Sequence, residues 1–176
     1  GRVVKRYHLY PQFAGVLLLI LLSLTGAGAT ESAMEHNISV NVPEALQIEV
    51  GDSALAFNLF SPNPDEKYPA ASYPAYYTPT SVNKYVSIKL FSNCDKEWSL
   101  MIGGEADNGL KVQAIEWSLD QVSWFPLESL GQPMKRGGFT SNWLEIKVYF
   151  RLVMYGDEYA GNGEYKVRVF YNLSSL

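Results

Sequence analysis

An all-β domain built from two packed antiparallel sheets is predicted by three observations. Apolar residues recur at every second position through most of the 176-residue chain, Gly/Asn/Asp turns separate those stretches, and no window longer than ten residues beyond residue 29 carries a helical period. About seven to nine strands of this spacing favour a sandwich over separate hairpins.

Residues 1–29 stand apart from that pattern. Arg2, Lys5, Arg6 and His8 precede an uncharged apolar run, Phe13 to Leu24, and the small residues Gly26-Ala27-Gly28-Ala29 follow. This order is the grammar of a secretory signal peptide, with an A-x-A site before Thr30. As a helix the apolar run spans about 18 Å, short of the roughly 30 Å hydrocarbon core. An uncleaved anchor is the alternative. In both cases residues 30–176 are expected outside the cytoplasmic membrane, at the cell surface or free, with the membrane touched only through residues 1–29 if they remain.

The strand signals follow in order. Ile38, Val40 and Val42 alternate with Ser39 and Asn41, and after Pro43 come Leu46, Ile48 and Val50, then Leu55, Phe57 and Leu59. Val86, Ile88 and Leu90 alternate with Ser87 and Lys89; Trp98, Leu100 and Ile102 alternate with Ser99 and Met101. Leu110 and Val112 lead into Ile115 and Trp117. The longest set is Leu144, Ile146, Val148, Phe150 and Leu152, and the last is Tyr165, Val167, Val169 and Tyr171. Each set offers one apolar face, as a half-buried strand requires. These last two strands, joined by a loop of eleven residues, are expected to pair. Turns are expected at Gly51-Asp52, Gly103-Gly104, Asp107-Asn108-Gly109, Gly137-Gly138, and from Gly156-Asp157 to Gly161-Asn162-Gly163. Residues 61–80 (SPNPDEKYPAASYPAYYTPT) show no strand period and hold five Pro, which keeps them out of a central ladder. They are read as one long loop or an edge crossover, of the kind that often carries function.

Composition removes several classes of function. The single Cys excludes an internal disulfide, and with two His it leaves no Cys/His zinc set; no cofactor or metal is expected. With 14 Lys+Arg against 18 Asp+Glu the formal charge is −4, and loss of Arg2, Lys5 and Arg6 with the signal segment makes it −7. A nucleic-acid partner is not expected. Cys94 is expected in a turn and His36 in the N-terminal arm, so neither a Cys/His pair nor a Ser-His-Asp triad is visible, and no Gly-x-Ser-x-Gly elbow is present. Asp157, Glu158, Asn162 and Glu164 offer oxygen ligands in one loop, but the spacing matches no EF-hand and solvated turn residues are the simpler account.

Aromatic residues are the candidate ligand-binding set. Tyr68, Tyr73, Tyr76 and Tyr77 of the Tyr/Pro loop are flat amphipathic faces that stack on sugar rings or anchor protein contacts; the competing reading folds them back over a sheet edge. Trp98 and Trp117 share strand faces with aliphatic residues and are expected in the core. Trp124, in Ser123-Trp124-Phe125-Pro126, and Trp143, at the start of the longest strand, are expected nearer the surface, as part of a binding platform or as plugs at the sheet ends.

Two resemblances carry the reading further. Gly163-Glu164-Tyr165 ahead of a strand resembles the tyrosine corner of immunoglobulin-like domains, with Val167 where the disulfide-bearing members have Cys. Trp98-Ser99-Leu100 and Trp117-Ser118-Leu119 each resemble the Trp-x-Leu tripeptide of the WxL cell-wall-binding family, although the C-terminal strand carries Tyr171-Asn172-Leu173 in place of a second motif. The resemblance implies a bacterial surface β domain held noncovalently on peptidoglycan.

The expected function is therefore that of a secreted or cell-surface, non-catalytic structural or adhesive module of the cell envelope. Its expected partners are a cell-wall polymer, a polysaccharide or copies of itself. A filament subunit is one form, in which the arm from Thr30 to Val42 adds a strand to a neighbour. A carbohydrate-binding module using Tyr76, Tyr77, Trp124 and Trp143 is the alternative, and an extracellular hydrolase has the least support.

Overall fold

The computed structural model describes residues 31–51, 54–107, 109–160 and 164–176. The expected signal segment with its cleavage site, and the expected turn residues Asp52, Asn108 and Gly161-Asn162-Gly163, lie outside the described residues. Two compact units divide the chain, residues 1–41 and Val42–Leu176. In the first, residues 31–41 are exposed and form no strand, so the strand expected at Ile38–Val42 is not formed. Alternation alone does not make a strand; a ladder partner is also required, and residues 31–42 have none among the described residues.

The second unit is all-β. Its nine strands among the described residues are β1 (Leu46–Val50), β2 (Ala75–Tyr77), β3 (Tyr85–Ser92), β4 (Trp98–Ala106), β5 (Ile115–Ser118), β6 (Phe125–Pro126), β7 (Gln132–Gly137), β8 (Leu144–Met154) and β9 (Val167–Ser175). One sheet runs β1-β3-β8-β5-β6, with β2 also paired to β8; the other runs β7-β4-β9, and every pairing is antiparallel. The two stack as a sandwich consistent with the immunoglobulin-like arrangement. The Tyr165 hydroxyl donates to the Tyr159 carbonyl six residues upstream, the type of bond that a tyrosine corner makes.

The predicted faces meet in the core. Ile88 and Leu90 of β3, Leu100 and Ile102 of β4 and Val148 of β8 are fully buried, and Trp98, Trp117 and Phe150 are nearly so. Both indoles of the Trp-x-Leu tripeptides therefore lie inside the sandwich.

Four features depart from the sequence reading. First, β8 and β9 do not pair. β8 is central, with β3 and β2 along one edge and β5 on the other, so the chain after Met154 crosses to the second sheet and β9 adds to β4. Second, residues 54–60 form no strand, although Leu55, Phe57 and Leu59 pack against the core as their alternation requires. Third, the Tyr/Pro loop contains β2, a three-residue strand paired with the end of β8, and Tyr77 within it is only 2 % exposed. Fourth, β6 and β7 had no clear alternation. β7 is an edge strand whose ladder with β4 slips between Leu100 and Met101, so that Met134 is extra beside Pro133. An edge with a bulge is where a strand accepts proline.

Candidate functional site

The outer face of the six-stranded sheet carries the candidate site. Because side chains alternate along β8, Ile146, Val148, Phe150 and Leu152 enter the core while Glu145, Lys147, Tyr149 and Arg151 face outward. From residue 145 to 151 this row is about 20 Å long at roughly 3.3 Å per residue. Neighbouring strands deliver partners by register: Glu116 of β5 lies opposite Arg151, Tyr85 of β3 opposite Tyr149, and Tyr76 of β2 opposite Val153.

Arg151 organises one end. Its Nε donates to Glu116 Oε1 at 2.6 Å, and its guanidinium carbon lies 4.1 Å from the Tyr76 ring centroid and 4.6 Å from that of Trp124. Both partners of the ion pair are shielded, with side chains 24 % and 16 % exposed, so the pair is screened less than a surface bridge. The rings thus rest on a cation that is itself fixed, and each such contact contributes about 0.5–2 kcal/mol. Tyr76 remains 49 % exposed, free to receive a ligand.

The Trp124 segment is held by a turn that precedes it. Asp120 Oδ1 accepts from the Val122 and Ser123 amides, both at 2.8 Å, and from Ser118 Oγ at 2.9 Å; Ser118 Oγ in turn accepts from the Gln121 amide at 2.8 Å. The amides of Ser123 and Val122 pull the Asp120 carboxyl down to about 2. Gln121 takes the left-handed conformation at φ 61°, which this side-chain-bonded turn stabilises.

Two further aromatic pairs continue the row. Tyr85 and Tyr149 lie 5.5 Å apart with Lys147 Nζ 4.9 Å over the Tyr85 ring, and Phe91 and Trp143 lie 5.6 Å apart. Trp143 also walls a shallow groove with Glu49, Lys89 and Glu145.

The structure separates the six residues singled out from the sequence. Tyr76 and Trp124 meet on Arg151, and Trp143 lies exposed at the opposite end of the same face. Tyr77 is instead a core plug whose hydroxyl donates to the Lys67 carbonyl at 2.8 Å, and burial raises its phenol. Tyr68 packs edge-on against Tyr77, and Tyr73 covers Gly156, where a Cβ would stand 2.7 Å from its ring; both shape the loop. Arg151, Glu116, Tyr85, Tyr149 and Phe91 were missed. The outward positions of the longest alternating set were the available signal, because an outward row of Lys, Tyr and Arg is more than a solvated face.

Flat rings with CH-compatible faces, interleaved with Arg, Lys and Glu, can stack on pyranose rings and hydrogen-bond their hydroxyls. Among the described residues no cluster of three His, Cys, Asp or Glu is placed to hold a metal ion, and Glu158 is engaged by the Tyr155 and Gly156 amides. No family model, curated protein or solved structure matches the chain.

Proposed function

We propose that the chain is a non-catalytic adhesive module of the cell envelope, secreted or displayed at the cell surface, which holds a polysaccharide strand along the outer face of its six-stranded sheet. The observation that carries this reading is the convergence of exposed Tyr76 and half-buried Trp124 on one guanidinium, in line with Tyr85/Tyr149 and Phe91/Trp143. An elongated row of rings on a flat sheet suits an extended polymer better than a small molecule, which favours an enclosed pocket. The non-catalytic part of the reading is supported by Cys94, whose thiol is buried and pushed up by desolvation, away from a reactive thiolate. Secretion rests on the sequence pattern of residues 1–29.

The test is co-sedimentation of the full chain with microcrystalline cellulose, chitin and purified peptidoglycan. Binding to at least one polymer is expected, with a loss of tenfold or more in Tyr76→Ala, Trp124→Ala and Trp143→Ala variants whose circular dichroism is unchanged. Equal binding by all three variants would remove the aromatic row from the mechanism. No binding to any of the three would overturn the polysaccharide reading.

A further inference from the structure

We infer that a second copy of this chain docks at the free edge of β9, and that the docking element is the neighbour's arm, residues 34–42. This goes beyond the carbohydrate reading and rests on different residues.

The two flanks of the sandwich are unequal. On one, the chain passes from β6 to β7 across the gap between the sheets: Leu127 is fully buried there, its amide donates to the Ile115 carbonyl, and the Gly104 amide donates to Glu128. On the other, β1 and β9 adjoin across the gap and both are edge strands among the described residues. Their apolar residues are incompletely covered. Leu46 and Ile48 of β1, and Val167, Val169, Tyr171 and Leu173 of β9, are half-buried, while Ile88, Leu90, Leu100 and Ile102 on the adjacent strands are fully buried. An open nine-residue edge beside half-covered apolar side chains is a template for one more strand.

The arm has the matching form. Residues 34–42 number nine, like β9. Met34, Ile38, Val40 and Val42 are 97 %, 80 %, 75 % and 77 % exposed; in a strand they would share one side with His36, and Glu35, Asn37, Ser39 and Asn41 would occupy the other. Four exposed apolar residues in strand alternation with no sheet to join call for a partner. Asn93 fixes Pro43-Glu44-Ala45 at the start of the second unit, its Nδ2 donating to the Pro43 carbonyl at 2.8 Å and its Oδ1 accepting from the Ala45 amide at 2.6 Å. The arm and the β9 edge are different surfaces, so repetition gives an open filament or a ring, and reciprocal exchange of arms gives a closed dimer.

The test is sedimentation velocity of the full chain across a hundredfold concentration range, with hydrogen exchange at both ends of the range. Oligomers that grow with concentration are expected, with new protection confined to residues 34–42 and 167–175. The variant Ile38→Asp/Val40→Asp alters only exposed arm residues and should remain a monomer with unchanged thermal stability. A synthetic peptide of residues 31–43, and not its scrambled form, should restore protection at 167–175 in that variant. A monomer at every concentration, assembly unaffected by the double substitution, arm protection already complete at the lowest concentration, or protection of the arm without β9 would each overturn the inference. Polysaccharide binding by the double variant reports separately on the aromatic face.

Discussion

Trp98 lies across Gly137: a Cβ placed on Gly137 would stand 2.3 Å from Cζ2 of the indole, and the indole Nε1 donates to the Gly138 carbonyl at 2.7 Å. The two residues are register partners between β4 and β7, so the missing side chain is the space into which the largest core residue folds. Gly137→Ala should therefore destabilise the domain by about 1–3 kcal/mol, the range for overpacking a filled site. The check is the urea midpoint at constant m-value, with Gly138→Ala, where a Cβ meets nothing, as the control. Equal midpoints for the two variants would contradict the packing described.

The Arg151–Glu116 pair is expected to couple β8 to β5 as well as seat the rings. Arg151→Met keeps the apolar stem and leaves Glu116 without its cation, at a cost of roughly 1–3 kcal/mol. Arg151→Met/Glu116→Gln should recover most of that loss, because no uncompensated charge remains. A thermodynamic cycle of the two single variants and the double variant measures the coupling; a coupling near zero would show that the pair is solvated in the manner of a surface bridge.

Much of this fold was legible because burial writes itself into alternation. The core faces of β3, β4 and β8 read directly as Val86-Ile88-Leu90, Trp98-Leu100-Ile102 and Ile146-Val148-Phe150, and the structure buries those side chains. Pairing was not legible. Val167 and Val169 look the same whether β9 joins β8 or β4, since register partners leave no local mark on a strand. The Arg151 cluster was hidden for the same reason. Tyr76, the Glu116–Trp124 segment and Arg151 are far apart in sequence and meet because β2 and β5 flank β8. Tyr76 and Tyr77 show the converse: they are adjacent in sequence and indistinguishable in composition, yet the strand period of β2 sends one to solvent and the other to the core.

Tyr171 supplies a third expectation. Its ring enters the sandwich beside Ile102, and its hydroxyl is buried without a protein partner among the described residues. Burial alone raises its phenol far above the ordinary value. A buried polar atom lacking a partner costs about 1–3 kcal/mol relative to a paired one, so removing it relieves that cost at little loss of packing. Tyr171→Phe should hold or raise the melting temperature, read by calorimetry at pH 7. A fall of several degrees would mean that the hydroxyl has a partner, such as an ordered water, that matters to stability.

Asp120 predicts an acid-dependent contribution with a defined sign. Its folded pKa of about 2 lies below its ordinary 3.8 because Ser123 and Val122 donate amide hydrogens to the carboxylate. A lowered acid pKa means that the unfolded chain takes up the proton first, so the stabilisation is complete above about pH 4 and disappears as the pH falls through 2. The charged form is the better acceptor for the turn that holds Trp124. Asp120→Asn should therefore melt below the native chain at pH 6, with the gap narrowing from pH 4 downward and closing near pH 2. Trp fluorescence at the same pH values should show a shift in the variant at pH 6 that the native chain acquires only in acid. A gap independent of pH would mean that the turn depends on side-chain shape rather than charge.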